Sequence, residues 1–232
     1  PIDEFDFDVA ILFSDILFIL EGLGLSLTFD PGPVFGEEIN SNNVDKFNDI
    51  EKAISHLGFQ REAIQLTRDK LSDNKSLIGF VGGPYTLLKY AVGKKNKISL
   101  KDNSFEISFL KNTLTPLLIK NIEIQLQAGA EQVMIFDSGL TDINTADFED
   151  IYLKILKNIS EKFDTKVGYY AKGLANNFFN SIMKLNFSGF GCDSANDMVM
   201  LLKNNDKGFI QGNFDESKML LNKNDLKDEL SK

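Results

Sequence analysis

Histidine, cysteine, arginine and tryptophan are almost missing from this chain of 232 residues. Its one cysteine, Cys192, excludes an intrachain disulfide and fits a reducing compartment. Its one histidine, His56, excludes a Ser-His-Asp triad and conventional histidine acid–base chemistry. It also leaves a zinc site short of ligands, and its place on an amphipathic stretch reads as structural. Basic residues are outnumbered, with Lys+Arg 25 against Asp+Glu 34 and a net charge of −9. Phosphate binding needs a concentrated cationic footprint, so no nucleic-acid partner is predicted. No run approaches the roughly 18–20 continuous apolar residues of a membrane span. The most apolar stretch, residues 10–20, is interrupted by Ser14 and Asp15. Asp3, Glu4, Asp6 and Asp8 precede it, the reverse of a signal peptide's positive flank, so it reads as a buried strand with polar residues near its end. These absences predict a cytoplasmic protein without a membrane partner.

What is present is the composition of an ordinary folded domain, 43% apolar and 25% charged. That suffices for one sizeable core and fits one domain better than two. Short apolar runs at 9–13, 77–81, 132–136, 166–170, 187–192 and 208–211 alternate with longer amphipathic stretches at 48–72, 104–129, 148–163, 176–185 and 195–204. Such alternation, with nearly continuous apolar strands, predicts a parallel sheet covered on both faces. The expected fold is α/β, a (β/α)8 TIM barrel with about six of its eight strands here, since a full barrel typically takes ~250 residues. An open doubly wound sheet is the alternative. The first residue is Pro1, and an apolar strand follows within a few positions. The expectation is therefore a single barrel domain over 1–232, truncated at both termini. Residues 31–43 and 93–103 form conspicuous loops of the kind that bind ligands or act as lids.

Function in a barrel collects at the carboxyl ends of the strands. Those ends carry Ser14-Asp15, Gly82-Gly83-Pro84, Asp137-Ser138-Gly139, Lys172-Gly173, Cys192-Asp193 and Gly212-Asn213. Turn-forming residues end strands in any case, so single positions decide little. Asp15 differs because it lies between Ile11-Leu12-Phe13 and Ile16-Leu17-Phe18, with no cation within eight residues on either side. A carboxylate in apolar surroundings costs several kcal/mol, on the order of a lost hydrogen bond or more, unless something satisfies it. Two readings fit: it caps a following helix, or it awaits a ligand that donates hydrogen bonds or develops positive charge. The segment Gly79-Phe80-Val81-Gly82-Gly83-Pro84 matches neither the dinucleotide nor the P-loop fingerprint. Its glycines are expected to let a wide ligand approach the backbone.

These residues fall into a recognisable order. Phe13-Ser14-Asp15-Ile16-Leu17, then Glu21-Gly22-Leu23-Gly24 and Gly32-Pro33, resembles the F-S-D-I-L segment and following stretch of the uroporphyrinogen decarboxylase family. Gly79 to Leu87 with Tyr90 is similar to G-F-x-G-x-P-x-T-L-x-x-Y, and Gln127-Ala128-Gly129-Ala130 with Phe136-Asp137-Ser138 to Q-x-A-G-A-x-x-x-x-F-D-S. Ala171-Lys172-Gly173 and Gln211-Gly212-Asn213-Phe214-Asp215 match its later A-K-G and Q-G-N-L-D segments. The resemblance runs from Phe7 to about Asp215. It implies a cofactor-free, metal-free enzyme that removes carboxyl groups from the four acetate side chains of uroporphyrinogen III in haem biosynthesis, and a homodimer when full length. It makes Asp15 the catalytic residue, hydrogen-bonding the pyrrole N–H groups and stabilising positive charge on a protonated pyrrole. Tyr90 and Ser138 match positions that contact substrate carboxylates, and Phe13, Phe80 and Phe136 match residues lining the cleft.

The departures bear on activity. The family's R-Q-A-G-R motif, which supplies arginines to the substrate carboxylates, has no counterpart, and the only arginines, Arg61 and Arg68, read as solvated helix residues. The G-H-G segment, which brings a histidine to the substrate, is also missing, and Gly139 stands where the family usually carries a large aromatic residue or histidine. Lys94, Lys95, Lys97 and Lys101 read as a solvated loop. Weak or no activity is expected of the 232 residues alone, with unpaired strand edges at 9–13 and 208–211. One alternative is a zinc- or corrinoid-type methyltransferase of the superfamily, but the strand end at Tyr169 to Gly173 carries neither His nor Cys. A non-catalytic remnant is the other.

Overall fold

Among the described residues, eight short strands arise where β-branched, aromatic and glycine residues cluster: β1 Val9–Ile11, β2 Leu27–Phe29, β3 Pro33–Phe35, β4 Ser76–Gly82, β5 Gln132–Phe136, β6 Val167–Tyr170, β7 Gly189–Cys192 and β8 Phe209–Gly212. The computed structural model describes residues 1–205 and 208–231. Six of the strands form one parallel sheet in the order β1-β4-β5-β6-β7-β8, and β2 and β3 pair as a separate antiparallel hairpin. A doubly wound sheet reverses strand order at a switch point. Here each new parallel strand is added to the same edge, so the sheet curls as an arc of a (β/α) barrel. The open-sheet alternative fails on that observation.

Burial alternates along β4, where Leu77, Gly79 and Val81 are buried and Ile78 and Phe80 are half-buried. The first set packs under the helix Thr115–Gln127, whose Leu117, Leu118 and Ile122 are fully buried. Each such side chain contributes roughly 1.5–3 kcal/mol of apolar burial. The other set faces a concave trough of about 1070 Å³, walled by Ile11, Ile78, Met134, Tyr170, Phe209 and Gln211 among others. Gly168 and Gly189 face the same side, and a Cβ on either would meet Met134 or the Phe209 ring closer than 3.0 Å. The glycines thus let two large side chains lie across β6 and β7.

Several sequence-based bounds shift. Residues 10–20 are not one strand: β1 ends at Ile11, and a turn leads into the helix Phe18–Gly22. The predicted helix 48–72 divides into Ile50–His56 and Gly58–Lys70, because Leu57 leaves helical geometry at ψ 4°. The predicted helix 104–129 becomes Phe105–Phe109, a π-helical turn Leu110–Leu114 and Thr115–Gln127, with Pro116 unable to donate a helix bond where the pattern changes. Part of the loop at 31–43 is strand β3. His56 ends its helix with a 40% exposed side chain, and its Nε2 lies 3.1 Å from a Glu21 carboxylate oxygen. Arg68 is not a solvated residue. It donates to the carbonyls of Lys75 (2.8 Å), Ser72 (2.9 Å) and Leu71 (3.3 Å), and contacts Glu131 at 3.3 Å. Those partners lie before β4 and β5, at the end of the sheet away from Asp15.

Candidate active site

At the carboxyl end of β1 the chain turns on Asp15, whose Oδ1 accepts a hydrogen bond from the Leu17 amide at 2.8 Å. That shapes the entry to the helix Phe18–Gly22, where Leu17 occupies the capping position and its own side chain offers no cap. The Asp15 Oδ2 has no hydrogen-bond partner among the described residues. Asp15, Ser14 and Gln60 line a cavity of about 480 Å³ whose remaining wall is largely aromatic, including Phe13, Phe18, Phe59 and Phe80. Phe13 itself is 85% exposed, so its ring stands out from the strand end rather than in a core.

Phe13 begins a run of rings across four adjacent strand ends. Its centroid is 5.8 Å from Phe80, Phe80 is 5.5 Å from Phe136, and Phe136 is 5.7 Å from Tyr170. The tilted and edge-on geometries are those that aromatic quadrupoles favour. Register produces the run: Phe136 pairs with Gly82 on one side and Tyr170 on the other. The three phenylalanines expected to line a cleft therefore come together. Tyr170 was not expected among them; burial, then the nearby Asp193 charge, raises its phenol above the ordinary value.

Behind this rim sits a buried carboxyl. Asp137 is 0% exposed and accepts from the Thr86 amide (2.9 Å), the Thr86 hydroxyl (2.8 Å), the Tyr169 hydroxyl (2.8 Å) and the Tyr152 hydroxyl. Thr86 Oγ1 accepts in turn from the Gly139 amide at 2.9 Å, and Tyr152 from the Tyr85 amide at 3.1 Å. Burial pushes the Asp137 carboxyl up, and these donors oppose it. Burial also raises Tyr85, to about 12, and lifts Tyr152 and Tyr169 well above their ordinary range. The network ties β5 to β6, to the helix Pro84–Ala91 and to the π-turn Phe148–Tyr152. Glycine at 83 belongs to it, because an added Cβ would fall closer than 3.0 Å to the Asp137 carboxyl. Gly79 makes room in the same way for the Gln125 amide, and Gly82 for Leu87. The expected role of these glycines is therefore corrected: they admit protein side chains, not a ligand.

The other expected site residues lie apart. Ser138 is exposed just beyond Asp137. Tyr90 is half-buried; its ring meets Phe35 of the hairpin at 6.4 Å and lies under the Lys94 ammonium at 4.1 Å. Lys95, Lys97 and Lys101 are exposed. Cys192 is buried, its thiol pushed up by that burial, and its Sγ lies 3.5 Å from the Gln211 carbonyl. No group of three or more His, Cys, Asp or Glu is placed to hold a metal among the described residues. No helix among them is long and apolar enough to cross a membrane.

A buried acidic anchor, an aromatic rim and one half-free carboxylate can now be set beside known proteins. The family model for uroporphyrinogen decarboxylase matches residues 1–232. The chain belongs to the uroporphyrinogen decarboxylase family. That membership places it among the carboxy-lyases. Uroporphyrinogen decarboxylase of Orientia tsutsugamushi (strain Ikeda) is 34% identical over 237 residues, which is 95% of this chain and 68% of that protein. The protein of that name from Campylobacter jejuni serotype O:2 is 34% identical over 248 residues, covering 100% of this chain and 72% of its own length. Among solved structures, a methyltransferase from Methanosarcina mazei superposes with a TM-score of 0.77 at 14% identity, covering 88% of this chain and 64% of the other. At that identity the likeness shows the shared barrel fold alone.

Within this decarboxylase-family framework, sequence reading missed Gln60, Thr86, Tyr152 and Tyr169. Asp137 stands in the Phe136-Asp137-Ser138 segment, but nothing in its sequence neighbours marks it as fully buried. The only available signal is its position directly after the apolar strand Gln132–Phe136.

Proposed function

We propose that this protein decarboxylates the acetate side chains of uroporphyrinogen, with Asp15 as the group that engages the macrocycle. The carrying observation is the Asp15 carboxylate: one oxygen is fixed by the Leu17 amide and the other is unpartnered among the described residues, on an aromatic-walled cavity. Pyrrole N–H groups supply the donors such an oxygen needs. Loss of CO₂ from a pyrrole acetate requires a proton on a ring carbon. The acetate C–C bond then breaks, its electron pair neutralises the cationic ring, and the exposed methylene carbon takes up a proton as the ring gives one back. Positive charge develops on the pyrrole between those events. A fixed carboxylate beside it, with phenyl rings excluding water, stabilises that charge more than it stabilises the neutral substrate. Phe13, Phe80, Phe136 and Tyr170 would pack on the macrocycle, and Tyr90 and Ser138 would meet its carboxylates from the rim.

The test is anaerobic incubation of the protein with uroporphyrinogen III, followed by chromatographic separation of the porphyrins by carboxyl number. Loss of acetate carboxyls without added metal or cofactor is expected, slow because this chain carries no counterpart of the family's carboxylate-binding arginines. Recovery of unchanged substrate would overturn the proposal.

A further inference from the structure

Gln60 is a polar side chain only 6% exposed, on the helix Gly58–Lys70. Its Nε2 donates to the Ser14 hydroxyl oxygen at 2.8 Å, and its Oε1 has no partner among the described residues. Burying a glutamine for one hydrogen bond costs stability, since an unsatisfied buried acceptor forfeits its desolvation energy. The single bond it does make falls on the residue beside Asp15, and all three residues line the same cavity. That bond has a direction. An amide NH₂ can only donate, so Ser14 Oγ accepts, and the hydroxyl hydrogen is left to be given elsewhere. No acceptor among the described residues takes it.

We infer that Ser14 is a substrate-contacting donor to a carboxylate of the tetrapyrrole, and that Gln60 is the positioning residue that turns its hydroxyl toward the ligand. This rests on the proposed function and extends it. Asp15 and Ser14 then form an adjacent acceptor and donor, one for pyrrole N–H and one for a side-chain carboxylate. Donors to a carboxylate make the stronger, charge-assisted class of hydrogen bond.

The experiment is calorimetric titration of the protein with uroporphyrinogen III under anaerobic conditions, for the unmodified chain and for Ser14→Ala, Gln60→Glu, the double variant and Asp15→Asn. Ser14→Ala is expected to weaken binding roughly tenfold or more, the loss of one charge-assisted hydrogen bond. Gln60→Glu is near-isosteric but, when ionised, accepts the Ser14 proton; it should therefore bind as weakly as Ser14→Ala near neutral pH and recover on acidification, when the acid can donate again. The double variant should be no weaker than Ser14→Ala alone, because both act through one proton. A merely structural role for Gln60 would show neither the recovery nor the non-additivity. If Gln60→Glu does not fold, Gln60→Met frees the Ser14 hydroxyl and should give a smaller loss that vanishes in the Ser14→Ala background. Binding by Ser14→Ala within about twofold of the unmodified chain, or a harmless Gln60→Glu, overturns the inference. Loss in Asp15→Asn with Ser14→Ala unaffected sinks this inference alone, whereas unaffected Asp15→Asn sinks the proposed function with it.

Discussion

Replacing Gly83 with alanine adds one methyl group, and the structure assigns it a large cost. Gly83 has φ −67° and ψ 153°, extended geometry open to any residue. On backbone grounds alone the substitution would stabilise by ~0.4–1 kcal/mol, through a less flexible unfolded chain. Sterics reverse the sign. The added Cβ would lie closer than 3.0 Å to Asp137 Cγ, Oδ1 and Cβ, and Cβ is fixed by the backbone of the strand end. The carboxyl cannot swing away without releasing Thr86, Tyr152 and Tyr169, which surround it in a fully buried site. Each buried polar group left unsatisfied costs about 1–3 kcal/mol, and more than one would be left so here. The net expectation is a loss of about 2–4 kcal/mol, a large share of the ~5–15 kcal/mol that holds a typical domain together. Urea unfolding followed by circular dichroism measures it as a drop in midpoint at unchanged slope. Gly32→Ala is the control, because nothing lies within 4 Å of its added Cβ, and it should unfold at or slightly above the unmodified midpoint. Equal midpoints for Gly83→Ala and Gly32→Ala would refute the account of the Asp137 network.

Two further outcomes follow from the same network. Burial raises Asp137, so the folded state holds a proton over a pH range in which the unfolded chain has released it. The associated stability is complete below the ordinary carboxylate value and is lost as pH rises through the raised one. Asp137→Asn cannot ionise, so the unmodified protein should lose stability relative to this variant as pH increases from about 4, an ordinary carboxylate value; the opposite slope in pH-dependent melts would count against it. Tyr85 is raised to about 12, and Tyr152, Tyr169 and Tyr170 are also raised. Spectrophotometric titration of the folded protein at around pH 10, the ordinary phenol value, should therefore find those four groups mostly protonated. Full phenolate absorbance there, with the fold intact, would contradict the burial of the network.

The barrel arc was legible because parallel strands buried on two faces leave short apolar runs, and β5 was found with its bounds intact at Gln132–Phe136. Breaks inside helices were less visible: Leu57 and Pro116 interrupt hydrophobic patterns that continue across them. The aromatic rim was partly legible through Phe13, Phe80 and Phe136, whereas Tyr170 joins it only through strand register, which no local pattern encodes. Asp15 stood out as a carboxylate without a nearby cation, and the structure shares its two oxygens between the two readings: one shapes the turn and the other is left unpartnered. Gln60 was hidden because one polar residue on a helical stripe looks solvated until a neighbouring strand end covers it. The Gly-Gly-Pro segment misled for a related reason. A glycine needed for a close approach looks the same in sequence whether a ligand or a buried aspartate approaches.

The central claim is that the Asp15 charge drives carboxyl loss. Asp15→Asn keeps an oxygen for the Leu17 amide and replaces the charge and the second acceptor with a neutral NH₂ donor. Single-turnover decarboxylation of uroporphyrinogen III by the two proteins, followed by porphyrin chromatography, isolates that difference. The account predicts a fall of about a hundredfold or more, the usual scale for removing one preorganised electrostatic group, and a rate for Asp15→Asn within a few-fold of the unmodified protein would contradict it.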